Sequence, residues 1–314
     1  MRVIRVEEPG LLTTVQDLGR DGFGPLGVSP SGAADPIALR IGNRLVGNAE
    51  GASGLEMTLL GGTFVFPEGA IVALTGCDFA ATLDGKAVEQ WASLEAKKGQ
   101  TLRLGSTRSG ARGYLCVRGG IAVTPFLGSA STHLLSGLGG HEGRALRRGD
   151  VLKIGEADAA YRRRALAAKA FEQLSPRKVL RVTPGPQNDW FPGSAQQIFH
   201  ASTYRVSEES DRMGLRLEGA PVPEGSGGKM ITEGVSMGAV QITAGGLPII
   251  LFVEQQTTGG YAKIANVISA DLSSLGQLRP RDEIRFEQVD RHTARALLVK
   301  QERLLASGKL ILES

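Results

Sequence analysis

An amide, two hydroxyls and a phenol stand around two glycines in the stretch Gln256-Thr257-Thr258-Gly259-Gly260-Tyr261. All are neutral hydrogen-bonding groups. The glycines let the backbone turn through positive φ and let a ligand come close. Gathered at one bend, such groups suit recognition of an amide, a urea or a small carboxylate. They do not suit direct nucleophilic attack, because no base stands beside the hydroxyls in sequence. A polar hairpin turn without a ligand would use the same residues, so residue chemistry alone leaves both readings open. The stretch follows Pro248-Ile249-Ile250-Leu251-Phe252-Val253, an apolar run with the length and composition of a buried strand. A strand end is therefore what must position the polar groups.

Other polar residues raise similar choices. Gln16, Asp17 and Arg20 lie in an irregular, glycine-rich loop whose backbone groups need partners. Either Asp17 and Arg20 pair and brace the loop, or Arg20 offers its fork to a substrate carboxylate. Asp211 and Arg212 either brace a turn or line a site. Glu233 stands just before the strand Ala239-Val240-Gln241-Ile242-Thr243 and could act as a base or orient an amide.

Familiar motifs fail on context. Gly234-Val235-Ser236-Met237-Gly238 matches the serine-hydrolase elbow, but a strand follows it where the elbow needs a helix. Gly228-Lys229 lacks the upstream glycine of a phosphate-binding loop. Gly137 to Gly143 has no convincing strand before it, so the dinucleotide fingerprint fails. The four histidines are far apart, and Cys77 and Cys116 lie in separate apolar runs, read as buried reduced thiols. No metal site is expected.

A chain of 314 residues with 41% hydrophobic content can form one large domain or two ordinary ones. Its 43 glycines and short apolar runs predict many turns and a strand-rich fold. The formal charge of +4 is modest, and the basic residues are scattered, which excludes a nucleic-acid stripe. Arg162-Arg163-Arg164 reads as a solvated helix face. No apolar run reaches bilayer-spanning length, and the start alternates like a strand; a cytoplasmic location is expected.

The elements that must hold the candidates are punctuated clearly. A first strand spans residues 1–6. Asp35 caps a helix with Pro36 at its first position, Ile37, Ile41 and Leu45 on one face and Gly47 at its end. Short strands fill 55–104, with a hairpin turning at Asp84-Gly85. Further strands are predicted at 113–118 and 149–154. The alanine- and arginine-rich segment from Glu156 to Lys178 reads as a surface helix or linker, dividing the chain into 1–175 and 176–314. The second part restarts with a strand at 179–182 and a Pro184-Gly185 turn. Asp271 is expected to cap a short helix and Asp290 a final one, with a last strand at 309–312.

Gly238-Ala239-Val240-Gln241, Gly246 to Leu251, Gln256 to Tyr261, Ala270-Asp271-Leu272, Gln277 and Arg279-Pro280 form one long composite signature. So do Pro9-Gly10-Leu11, Thr14 to Arg20, Gly32 to Asp35 and Asn43 to Asn48 near the start. These motifs resemble the family called allophanate hydrolase subunit 2, also described as the carboxyltransferase subdomain of urea carboxylase. The C-type subunit of bacterial 5-oxoprolinase and the antagonist of a sporulation-kinase inhibitor are in the same family. The resemblance covers nearly the whole chain. It departs at Ala130, where arginine is common, at Ala262, where proline is usual, and at Arg281, where glycine is usual.

The resemblance implies a mainly β protein of two cyclophilin-like β-barrel domains with a few short helices. It implies a C-type subunit of a bacterial ATP-dependent 5-oxoprolinase, opening the lactam of 5-oxo-L-proline to L-glutamate. Partners would be the B-type subunit, which is allophanate hydrolase subunit 1-like, and the A-type subunit. ATP would be bound with or by a partner, and the isolated chain would be inactive. On this reading Gln16, Gln241, Gln256, Thr257, Thr258, Gly259 and Gly260 hold the substrate, and Arg20 or Arg212 takes its carboxylate. Glu233, Asp17 and Tyr261 form the catalytic set. One alternative is a biotin-dependent carboxyltransferase component acting on urea or a related amide. Carboxybiotin would then arrive on a separate chain, since no Ala-Met-Lys-Met run occurs here. Another is a non-catalytic antagonist of a kinase inhibitor.

Overall fold

A computed structural model describes residues 2–157, 161–223 and 230–313. The Gly228-Lys229 pair lies outside the described residues. The chain divides into two compact units. One comprises Met1–Arg20, Ser31–Leu174 and Ser307–Ser314; the other comprises Asp21–Pro30 and Ser175–Ala306.

The first unit is built from two antiparallel sheets. The six-stranded sheet runs in the order Val151–Lys153, Val3–Glu8, Thr63–Phe66, Gln100–Arg103, Thr82–Leu83, Lys86–Ala87. The five-stranded sheet runs Leu12–Gln16, Gly54–Thr58, Ser109–Val117, Ala70–Asp78, Ser93–Ala96. Ile4, Phe64, Phe66 and Leu102 from one sheet and Val15, Leu55, Val72 and Leu115 from the other join a single buried cluster. The longer strands of both sheets thus send apolar residues to a shared interior. The Pro36–Val46 helix forms as its punctuation predicts: Asp35 accepts from Ala38 N–H at 3.0 Å, and Gly47 ends it at φ 79°. Ala38, Leu39, Ile41 and Leu45 are buried, and Thr75 donates its hydroxyl to Ala38 O at 2.7 Å.

Two expectations are corrected. The helix in the 156–178 segment is confined to Ala168–Leu174, and Arg164 lies instead on a strand, Arg164–Leu166, paired with Ile311–Glu313. Its guanidinium reaches Glu313 Oε1 at 2.9 Å and donates to Arg44 O at 3.1 Å, a carbonyl at the helix end that also accepts from Gly47 N–H. Asp271 is not a cap: its carboxylate, 1% exposed, accepts from Arg181 N–H at 2.8 Å and Arg181 Nε at 2.9 Å. The half-buried guanidinium is a stronger claim on that carboxylate than a helix N–H. Both cysteines are buried free thiols, and burial pushes the Cys77 thiol up to about 12.

The turn before Val151–Lys153 carries a testable charge. Asp150 accepts from Arg144 at 2.8 and 3.0 Å and from Arg147 N–H at 2.7 Å, and the Arg144 bonds above all lower its carboxyl from 3.8 to about 2. A depressed folded-state value contributes stability above the unfolded value, lost as pH falls through the folded one. Asp150→Asn should therefore lower the unfolding midpoint at neutral pH. It should also flatten the acid limb between about pH 4 and pH 2 in a thermal-melt series.

In the second unit, seven strands close a barrel in the order Val179–Pro184, Lys263–Val267, Ala239–Ile242, Pro248–Leu251, Gly214–Glu218, Tyr204–Val206, Glu283–Gln288. The one parallel pairing, Val179 with Arg285 through Val182 with Gln288, completes the closure. Leu180, Val182, Tyr204, Val240, Ile250, Ile264 and Ile284 are fully or almost fully buried. Phe199, from the Gly193–Ala201 helix, stacks on Phe286 with centroids 4.5 Å apart. Asp290 caps Arg291–Leu305 through Thr293 N–H at 2.7 Å.

Candidate functional site

The signature stretch leaves the barrel and returns to it. Pro248–Leu251 pairs with Ala239–Ile242 and with Gly214–Glu218. Phe252 and Val253 are then buried, and Glu254 N–H donates to Arg212 O at 2.8 Å, anchoring the exit. Thr258–Gly259 next forms a two-stranded ribbon with Glu233–Gly234, in the register Glu233 to Gly259 and Gly234 to Thr258. The chain re-enters the barrel as Lys263–Val267. Gln241, 2% exposed, donates its amide to Tyr261 O at 3.4 Å. A Cβ on Gly259 would lie 2.7 Å from Gln241 Nε2, so the ribbon backbone runs close against that amide. Gln256, Thr258, Gly260 and Tyr261 are exposed, Thr257 is half-buried, and Tyr261 is 46% exposed. The polar groups of the signature therefore face outward, beside a buried amide.

Beneath the ribbon lies a cation that the residue pattern did not single out. Lys263 is 3% exposed, and its Nζ lies 2.6 Å from Glu233 Oε1. Gln187 Nε2 donates to the same oxygen at 2.9 Å, and Gln187 Oε1 accepts from Lys263 N–H at 3.2 Å. The ammonium of Lys263, and then the Gln187 amide, hold the Glu233 carboxyl below the usual glutamate range. A carboxylate lowered in this way is a weaker proton acceptor. The loop carrying Gln187 hugs the strand: Gly185 N–H donates to Ile264 O at 3.0 Å, and a side chain at Gly185 would collide with Lys263 O. One signal for Lys263 existed in sequence: a single charge inside the run Ala262-Lys263-Ile264-Ala265, adjoining the signature. Nothing in sequence pointed to Gln187.

Arg212 is committed inside the fold. Its Nε donates to Glu254 Oε1 at 2.5 Å, with the two side chains 5% and 3% exposed. Asp211 braces the adjoining turn by accepting from Met213 N–H at 2.8 Å and Gly214 N–H at 3.1 Å. Ser236 is exposed, and the Ala239–Ile242 strand follows it, as expected.

The remaining candidates belong to the first unit. Asp17 accepts from Gly19 N–H at 2.8 Å, Ser129 Oγ at 2.6 Å, Ser131 Oγ at 2.5 Å and Ala130 N–H at 2.6 Å. Four donors converging on one carboxylate make it a brace for two loops. Arg20, 2% exposed, donates to Ser131 O and, at 3.4 Å, to Phe126 O, with its guanidinium over the Phe126 ring. Gln16, fully buried, donates to Thr14 Oγ1 at 3.0 Å and Thr132 O at 3.2 Å. A cleft of about 550 Å³ in this unit, bordered by Phe126, His141 and Lys153, contains none of the candidates. Among the described residues, no group of three or more His, Cys, Asp or Glu side chains is placed to hold a metal ion. Nor is any helix among them long and apolar enough to cross a membrane.

Comparison with known proteins narrows what this geometry serves. Residues 26–288 match the family described as carboxyltransferase domain, subdomain A and B. The sequence is 41% identical over 286 residues to the C subunit of 5-oxoprolinase from Escherichia coli strain K12, covering 91% of both chains. It is 35% identical over 331 residues to urea amidolyase of Lachancea kluyveri, covering 97% of this chain but 18% of that protein. Among solved structures, TTHA0988 superposes with a TM-score of 0.81 at 37% identity, covering 91% of this chain and 55% of that one. The urea amidolyase of K. lactis superposes with a TM-score of 0.89 at 31% identity, covering 99% of this chain and 21% of that one. The chain therefore spans nearly all of one kind of relative, about half of TTHA0988 and about a fifth of the amidolyases.

Proposed function

This chain belongs to the carboxyltransferase domain family, subdomain A and B, and on that premise we propose that it is the C-type subunit of an ATP-dependent 5-oxoprolinase. The supporting observation is the end-to-end match with the C subunit of 5-oxoprolinase, covering 91% of each chain. The complex would act in the cytoplasm, with the B-type and A-type subunits as partners. The substrate is a lactam whose amide resonance makes ring opening slow until its carbonyl oxygen is activated. ATP supplies that activation when bound. ATP is proposed to be bound with or by a partner subunit.

The work of this chain is to hold and orient. Gln256, Thr257, Thr258 and Tyr261 offer neutral donors and acceptors on the exposed ribbon, and Gln241 sets the position of Tyr261. Carboxylate recognition moves from Arg212, which is spent on Glu254, to Lys263. The first-unit residues Gln16, Asp17 and Arg20 brace loops. Glu233, charged and paired, serves as counter-ion more readily than as base. Loss of one neutral hydrogen bond costs about 1 kcal/mol, so Thr258→Ala and Tyr261→Ala should each lower turnover by about 3- to 10-fold. Size-exclusion chromatography should show the complex still assembled.

The test is glutamate release from 5-oxo-L-proline by the co-expressed complex with and without ATP. Glutamate formed only with ATP supports the reading; an assembled complex that forms none sinks it. The resemblance to the urea amidolyases favours a second reading, a carboxyltransferase component served by carboxybiotin on another chain. Carboxylation of urea with a biotinylated partner, and no glutamate from 5-oxoproline, would favour that instead.

A further inference from the structure

The buried cation of the candidate site is neutralised by the chain itself, and the two sides of that contact differ in rigidity. Lys263 and Gln187, 3% and 7% exposed, belong to a barrel strand and to the loop bonded along it. Glu233 is 45% exposed and rides on a ribbon of two residue pairs. An ammonium has three N–H donors. Among the described residues, Nζ meets no acceptor other than Glu233. The Gln187 amide points at the same Glu233 oxygen, its direction fixed by the Lys263 N–H on its other end. Two buried donors thus converge on one point in space, where the fold has placed a carboxylate oxygen.

A buried ammonium without a counter-ion is costly, so an anion must stand at that point. The anion supplied is carried by a ribbon of only two residue pairs, on a side chain 45% exposed. Ile231, two residues before Glu233, is 87% exposed. We propose that Lys263 and Gln187 form a carboxylate-binding subsite, which Glu233 fills in the free chain and vacates when a ligand carboxylate takes its place. Charge balance is kept, since one carboxylate replaces another, and no covalent bond changes. The Glu233 contact is then a built-in competitor, and the affinity for ligand is reduced by the fraction of time it is seated. The proposal rests on the 5-oxoprolinase reading only for the choice of first probe, which has one carboxylate.

The experiment is calorimetric titration of the full chain with 5-oxo-L-proline, its neutral carboxamide and glutarate. Wild type is compared with Glu233→Gln, Lys263→Met and Gln187→Leu. Removing the competitor should tighten binding of the acid by about tenfold in Glu233→Gln, the gain expected if the ribbon is open about a tenth of the time. The carboxamide should show no gain. Lys263→Met should abolish binding of the acid, alone or combined with Glu233→Gln, and Gln187→Leu should weaken it. Unchanged or weaker binding of both 5-oxo-L-proline and glutarate in Glu233→Gln overturns the subsite, as does carboxylate binding that survives Lys263→Met. A gain for glutarate with none for 5-oxo-L-proline keeps the subsite and overturns the 5-oxoprolinase reading. No binding of any carboxylate to Glu233→Gln overturns the subsite outright.

Discussion

Lys263→Met is expected to lower kcat/KM of the assembled complex for 5-oxo-L-proline by about 100-fold, the effect of losing about 3 kcal/mol from a desolvated charge contact. The ammonium is 3% exposed and sits on the barrel strand that follows the signature. A charge held in such a place strengthens any interaction it makes, because little water screens it. Methionine keeps the length and apolar stem of lysine but removes the charge, so the barrel should close as before. If the lysine binds substrate and transition state alike, the loss falls on KM and leaves kcat nearly intact. Steady-state kinetics of glutamate formation separate the two. An unchanged kcat/KM would remove Lys263 from the site.

The second large effect concerns stability. Arg212→Ala should destabilise the second unit by about 3–5 kcal/mol, because it strands the Glu254 carboxylate in the interior. The pair is 5% and 3% exposed, with Nε 2.5 Å from Oε1, and the Glu254 backbone is itself bonded to Arg212 O. The double variant Arg212→Met/Glu254→Leu removes both charges and should recover much of the loss, since replacing a buried pair by apolar side chains is often close to neutral. Equilibrium denaturation followed by Trp190, in a Trp91→Phe background, reads the second unit. If the single variant loses less than about 1 kcal/mol, the pair is not the buried lock described here.

What could be read from sequence was local punctuation. Asp35, Pro36 and Gly47 announce a helix because each satisfies a requirement of a helix end, and the structure places all three as expected. Asp84-Gly85 fixes a hairpin for the same reason, and the apolar run at 248–253 gives the strand that exits at the signature. What escaped was partner choice across long sequence separations. Asp271 looked like a cap until Arg181, 90 residues away, claimed it. Arg162-Arg163-Arg164 looked like a helix face because charge runs usually are. A last strand was expected near Ile311–Glu313, but its pairing with Arg164–Leu166, which brings Arg164 to Glu313, spans too much sequence to be read locally. Lys263 was hidden by barrel closure: a lone lysine in a strand ordinarily points to water, and only the loop carrying Gln187 and the ribbon carrying Glu233 bury it. The polar bend at 256–261 was legible as a set of groups, but the cation beneath it was not.

The measurement that bears most directly on this account is a crystal structure of the co-expressed complex with 5-oxo-L-proline bound. The account predicts the ligand carboxylate within hydrogen-bond distance of Lys263 Nζ and Gln187 Nε2, with Glu233 displaced and Tyr261 beside the lactam. A ligand seated elsewhere while Glu233 still covers Lys263 would contradict it.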